Sequence, residues 1–202
     1  GNWNSAQTVT VTGVNDNLVD GTITSTITVA VNDGSSDNNF DPVNDQTVSV
    51  STTDNDTAGF TIAQTDGSTS VSESGSTDTF TVVLNAQPNS NVVLAITSGD
   101  TGEATVNSPL TFTNENWNTP QTVTVTGAND SIIDGTINST TTVSVVDVSS
   151  DDNFDAVANQ NVSVSTTDND TAGFTIAQSG GSTSVAETGT TDTFTVVLDA
   201  QP

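Results

Sequence analysis

Residues 121–127, Gln-Thr-Val-Thr-Val-Thr-Gly, alternate hydroxylated and branched apolar side chains and stop at a glycine. A period of two places Val123 and Val125 on one side of an extended chain and Thr122, Thr124 and Thr126 on the other. That is the pattern of a strand with one face buried and one wet. The same reading applies to Thr79-Phe80-Thr81-Val82-Val83-Leu84, Val92-Val93-Leu94-Ala95-Ile96, Leu110-Thr111-Phe112 and Val162-Ser163-Val164-Ser165, with Gly, Asn, Asp and Pro between the runs. No stretch shows helical periodicity. Low aromatic content and high charge are also marks of disorder, but alternation with Phe, Val, Leu and Ile on one face favours a folded all-β chain.

The chain repeats itself. Asn2-Trp3-Asn4 returns as Asn116-Trp117-Asn118, and Gly59-Phe60-Thr61-Ile62-Ala63-Gln64 returns as Gly173-Phe174-Thr175-Ile176-Ala177-Gln178. The offset is 114 residues (117 less 3, and 173 less 59), without insertion. About three quarters of residues 1–88 are identical to residues 115–202. A unit of this length is a small domain rather than a solenoid turn. The segment Ser51-Thr52-Thr53-Asp54-Asn55-Asp56-Thr57-Ala58, repeated at 165–172, separates strand-like runs and is read as the joint. The expected organisation is the C-terminal part of one repeat at 1–56, a complete repeat at 57–170 and the N-terminal part of the next at 171–202. The chain then reads as a window onto a longer array.

Seven strands are expected in the complete repeat: 59–64 continuing at 69–73, then 78–85, 91–97, 104–113, 120–126, 136–146 and 160–167. Seven short strands in this length imply tandem immunoglobulin-like, seven-stranded antiparallel β-sandwiches. If successive strands alternate in direction, alternate loops fall on the same end. That parity places Glu73, Asp100, Asp130, Asp134, Asp168 and Asp170 together, at the joint with the following repeat.

The charge gives this convergence its meaning. There are 25 acidic residues and no Lys, Arg or His, for a formal charge of −25. Carboxylates about 4 Å apart repel by roughly 4 kcal/mol at an effective dielectric of 20, and no cationic side chain is present to relieve them. Clustered acids must therefore stay in water or take a metal ion. Calcium accepts six to eight oxygen ligands in flexible geometry, magnesium prefers a tight octahedron, and zinc would want His or Cys. Any single Asp in a turn is ordinary; six at one end, recurring in register, point to Ca2+.

The succession Val71-Ser72-Glu73, Thr79-Phe80-Thr81-Val82-Val83-Leu84, Leu110-Thr111-Phe112 and Gln121-Thr122-Val123-Thr124-Val125-Thr126-Gly127-Ala128-Asn129-Asp130, closing on Asp168-Asn169-Asp170-Thr171-Ala172-Gly173, resembles a Calx-β domain. Such domains occur in sodium–calcium exchangers, integrin β4 and large bacterial surface proteins. The resemblance covers the whole unit and both partial copies, and its specificity lies in the order and spacing of short motifs. It implies calcium ligands at Glu73, Asp100, Asn129, Asp130, Asp134, Asp168, Asn169 and Asp170. In the partial repeats it implies Asp16, Asp20, Asp54, Asp56 and Glu187. The family usually carries more acid where Asn129, Ser131 and Asn169 stand, and a further acid shortly after Asp134, which implies fewer ions or weaker binding here.

A second acidic loop, Asp147 to Asp155, falls by parity at the opposite end, facing Asp54 and Asp56. Asp147, Asp151 and Asp155 are secondary metal candidates there, with a solvated turn as the equal alternative. Asp56-Thr57-Ala58, Asp130-Ser131-Ile132 and Asp170-Thr171-Ala172 resemble a short bacterial O-glycosylation signal, which makes Thr57, Ser131 and Thr171 candidate sugar sites. Trp3 and Trp117 are read as plugs at the sandwich edge, and Phe60, Phe80, Phe112 and Phe174 as core.

These observations order the function classes. Catalysis is disfavoured, since only carboxylates and hydroxyls are available and no cleft is signalled. Nucleic-acid binding is opposed by the charge. The window carries no membrane segment. The expected role is that of extender repeats in a large secreted cell-surface adhesin of the kind used in biofilm formation or gliding motility. In that role Ca2+ would rigidify the joints between neighbouring repeats, and any surface glycan would be bound through other parts of the protein. The alternative is a binding module for glycan or ice, using exposed Thr-rich strands. Extreme acidity, absence of Cys and a demand for millimolar calcium imply an extracellular location.

Overall fold

A computed structural model describes all 202 residues. It is all-β, with thirteen strands and only single-turn 3-10 segments between them. They are β1 (Ile23–Val29), β2 (Gln46–Thr52), β3 (Phe60–Gln64), β4 (Thr69–Ser72), β5 (Thr77–Leu84), β6 (Val92–Ser98), β7 (Ala104–Val106), β8 (Leu110–Phe112), β9 (Gln121–Gly127), β10 (Thr136–Val145), β11 (Gln160–Thr167), β12 (Phe174–Gln178) and β13 (Phe194–Leu198).

β3 to β11 form two facing sheets. One has the order β3-β5-β9-β7 and the other β4-β11-β10-β6-β8. The alternation seen in the sequence is what closes them. Val123 and Val125 on β9 are fully buried, while Thr122 is exposed and Thr124 and Thr126 are half-buried on the other face. Phe80, Val82 and Leu84 on β5 pack against Val92, Leu94 and Ile96 on β6, with Phe112, Val143, Phe154, Val162 and Val164 filling the same core. Truncating a buried Phe such as Phe80 to Ala costs about 3–5 kcal/mol, so this cluster is the main source of stability.

Two features of the expected sandwich need correction. The seven expected strands are nine segments, because the first and fourth break and change sheets. Asp66 (φ 54°) and Gly67 (φ 83°) take left-handed conformations between β3 and β4, which turn the chain from one sheet into the other. Asn107-Ser108-Pro109 does the same between β7 and β8. The sheets are also not wholly antiparallel: β4 runs parallel to β11, with Thr69 opposite Val164 and Ser72 opposite Thr167. Carrying the first strand across to the second sheet reverses its relation to the last.

All 28 buried residues lie between Gly59 and Thr166. Residues 1–56 contribute the antiparallel pair β1-β2, and 171–202 the pair β12-β13. Neither pair encloses a core. Phe174, read as core, is 63% exposed and Trp3 is 91% exposed, because the strands that cover their counterparts Phe60 and Trp117 are not matched in these partial copies. Trp117 is half-buried against the core cluster.

Candidate metal centre

The end of the sandwich formed by the β4–β5, β6–β7 and β9–β10 loops and by the residues after β11 gathers the acids. Glu73 sits in a tight turn closed by Gly75 N–H donating to Ser72 O (3.1 Å), with Gly75 at φ 82°. Its own N–H donates to Thr167 O (3.1 Å), which ties the turn to the end of β11. Gly127 lets the neighbouring loop come close: a Cβ there would lie 2.0 Å from Ser72 O. Glu103 is fixed by its carbonyl, which accepts from Ala128 N–H (2.8 Å) and from Thr166 Oγ1 (3.4 Å).

These constraints bring Glu73, Glu103, Asp130 and Asp134 together, with one oxygen from each within 4.8 Å of the others. Glu73, Asp168 and Asp170 form a second such group, so Glu73 belongs to both. Glu73 is 1% exposed and Glu103 6%. Glu73 Oε2 accepts one long bond from Asn169 N–H (3.4 Å). Glu73 Oε1, Glu103 Oε2 and Asp170 Oδ2 are buried with no hydrogen-bond partner in the protein. Buried carboxylates normally have partners, so an arrangement of this kind suits a hard cation. Burial, followed by the neighbouring acids, pushes both Glu73 and Glu103 above the ordinary carboxylate range.

Asp168 has a different task. Its Oδ2 accepts from Asp134 N–H (3.1 Å) and Gly135 N–H (3.0 Å), and its Oδ1 accepts from Asp170 N–H (2.6 Å). These backbone donors hold its carboxyl below the usual range. Asp130 Oδ1 accepts from Ile132 N–H (2.7 Å). Asn169 and Asn129 are bonded to each other (2.8 Å) and brace the same loops.

Of the residues singled out from the sequence, Glu73, Asp130, Asp134, Asp168 and Asp170 come together. Asp100 lies beside the cluster but outside both groups; its Oδ1 accepts from Gly102 N–H (3.0 Å). Glu103 was not singled out, although it stands in the same loop. In the preceding copy, Asp54 reproduces Asp168 bond for bond, accepting from Asp20 N–H, Gly21 N–H and Asp56 N–H, and Asp16 accepts from Leu18 N–H as Asp130 does from Ile132. Residues 1–56 hold no counterparts of Glu73 and Glu103. Glu187 is exposed.

The second acidic loop forms no comparable group, and its acids do not join Asp54 or Asp56 in one. Asp151 is buried, and both its oxygens are engaged by Ser90 N–H (2.8 Å) and Asn153 N–H (3.0 Å). It is a loop tether. Asp155 is raised by desolvation and then by Asp147, Asp152 and Asp151. Thr57, Ser131 and Thr171 are all exposed.

The fold and site thus define a tandem-repeat, all-β protein with an acid-lined end. No protein-family model matches the chain, and no curated protein matches it in sequence. Among solved structures it is similar to domains 4 and 5 of the S-layer protein SbsC, at 22% identity over 61% of this chain and 63% of that one, with a TM-score of 0.35. It is also similar to domains 1–6 of the surface layer protein SbsC, at 19% identity over 75% of this chain and 24% of that one, with a TM-score of 0.37. The chain spans less than two thirds of either structure. No helix is long and apolar enough to cross a membrane.

Proposed function

We propose that this chain is a run of structural extender repeats from a large secreted cell-surface adhesin, with Ca2+ bound at the ends of the sandwiches to stiffen the joints. The carrying observation is the pair of buried glutamates, Glu73 and Glu103, each with one unpartnered oxygen, which share a site with Asp130 and Asp134. Those two aspartates belong to the loop that touches the next repeat. Each pair of unit charges at such spacing repels by on the order of 3 kcal/mol at an effective dielectric of 20. A divalent cation turns that repulsion into cross-linking of three loops. Glu73, common to both groups, fits a ligand shared by two adjacent ions.

In this reading the repeats are Calx-β-like, immunoglobulin-type sandwiches in which β3 with β4, and β7 with β8, each count as one strand that changes sheets. Repeat boundaries fall at 56/57 and 170/171. The protein works outside the cell, where calcium is millimolar, and its partners are its own neighbouring repeats. Near-identical copies suit a spacer, whose output is length. Small-angle scattering of the chain tests this. In about 5 mM calcium the profile should fit one extended shape, and in EDTA it should broaden to an ensemble. Superimposable profiles would sink the proposal.

A second reading is favoured by one observation. On the outer face of the four-stranded sheet, Thr77 lies opposite Thr126, Thr79 opposite Thr124 and Thr81 opposite Thr122, with Thr105 beyond Thr126. This regular array of hydroxyls is the surface through which a glycan or ice lattice would be bound. Thr is also an ordinary outward residue on a strand.

A further inference from the structure

The loop that carries Asp130 and Asp134 has a second face. Between those acids stand Ile132 and Ile133, and Ile132 forms a parallel β-bridge with Gln201 of the following repeat. Gln201 N–H donates to Ser131 O (2.6 Å) and Ile133 N–H to Gln201 O (3.2 Å). The preceding joint repeats this 114 residues earlier. Leu18 bridges Gln87, Gln87 N–H donates to Asn17 O (2.7 Å), and Val19 N–H donates to Gln87 O (3.0 Å).

Where the following repeat is complete, the contact goes further. Val19 packs against the apolar core of residues 57–170. Its carbonyl oxygen accepts from two side-chain amides, Asn89 Nδ2 and Asn153 Nδ2, each at 2.9 Å. Asn89 lies on the β5–β6 turn and Asn153 on the acidic loop after β10. Buried Asp151 holds the two together, accepting from Ser90 N–H and Asn153 N–H. Leu18 and Val19 are half-buried in this seat, whereas Ile132 and Ile133, facing only β12-β13 and its final turn, remain 38% and 39% exposed.

We infer that the base of each sandwich is a socket for the β9–β10 loop of the preceding repeat, with Asn89 and Asn153, positioned by Asp151, as its specificity-determining residues. The occupant is a short apolar dipeptide presenting a free carbonyl, supplied by a repeat of the same kind. Two acids of the proposed ion site stand on the same loop. Asp130 and Asp134 flank the dipeptide, so a cation that fixes both carboxylates also fixes the shape the socket accepts. This coupling rests on the calcium reading above; the socket does not.

Hydrogen exchange on the full chain, paired with calcium calorimetry, tests both parts. Replacing Asn89 and Asn153 together by Ala should speed exchange at the Val19 and Gln87 amides by about tenfold, the loss expected for two hydrogen bonds. Core amides such as Val123 and Val143 should stay slow, and the calcium isotherm should not change. Unchanged exchange at Val19 and Gln87 would overturn the socket. In the wild-type chain, calcium should slow exchange at Ile133 and Gln201 by about tenfold or more. Calcium heat with no slowing there would overturn the coupling alone, and no calcium heat at all would remove the coupling together with the calcium reading.

Discussion

Glu73 and Glu103, thirty residues apart (103 less 73), turn carboxylate oxygens to within 4.8 Å of each other while both are buried, and each keeps one oxygen without a partner. Such a pair is unfavourable for a metal-free fold and favourable for a cation-bound one.

Replacing Glu73 and Glu103 by Gln should raise the stability of the metal-free chain, because it removes buried unpaired charge. The same change should abolish stabilisation by calcium. In the wild type, calcium at a hundredfold excess over its dissociation constant should add about 2.7 kcal/mol. Thermal denaturation of both proteins, in calcium and in EDTA, checks the crossing of the two effects.

The metal-free chain should have a pH dependence opposite to the usual one. Glu73 and Glu103 are raised from an ordinary 4.5 by desolvation first and by neighbouring acids second. Their favourable contribution is complete below 4.5 and is lost as pH rises through their raised folded values. Asp168 and Asp54 are lowered from an ordinary 3.8 by backbone donors, so their contribution is present above 3.8 and lost as pH falls through their folded values. Denaturant melts in EDTA should therefore show greatest stability in the mildly acidic range. Saturating calcium should remove the decline towards neutral pH.

Much of this was legible in the chain. Alternation at Val123 and Val125 gave the buried face of β9, and the recurrence of Trp3 at Trp117 gave the unit. Parity brought Asp130, Asp134, Asp168 and Asp170 to the end that holds Glu73. Glu103 was not legible, because it adjoins a strand only three residues long. Only the pairing of Ala104 with Gly127 and the bond from Ala128 to the Glu103 carbonyl turn it inward. Asp100, the more obvious acid of that loop, accepts instead from its own turn at Gly102. The sheet switch at Ser108-Pro109 was hidden because it interrupts a run that otherwise reads as one strand; at Asp66-Gly67 the break between 59–64 and 69–73 was legible but the change of sheet was not. The role of Asp151 was hidden because its partner Ser90 lies sixty-one residues away (151 less 90).

Asp168→Asn should loosen the β9–β10 loop without disturbing the core. An amide oxygen is a weaker acceptor than a carboxylate for the Asp134, Gly135 and Asp170 N–H groups. Exchange at the Asp134 and Gly135 amides should accelerate and calcium affinity should fall, while the Val125 amide stays protected.

Gly127→Ala should be among the most damaging single changes in the chain. A methyl group there would meet the Ser72 carbonyl at 2.0 Å, and the backbone around it would have to move. A loss of about 3 kcal/mol, at the upper end for overpacking, is expected from urea melts. It should be accompanied by weaker calcium binding, because Ser72 adjoins Glu73.

The most direct measurement is calorimetric titration of the chain with calcium at neutral pH and physiological salt. Saturable binding with a dissociation constant below about 1 mM, the weak limit for extracellular modules, is predicted, and it should be lost in the Glu73→Gln, Glu103→Gln protein. Absence of saturable heat, or the same isotherm from the double variant, would contradict the assignment of this acidic end to a cation.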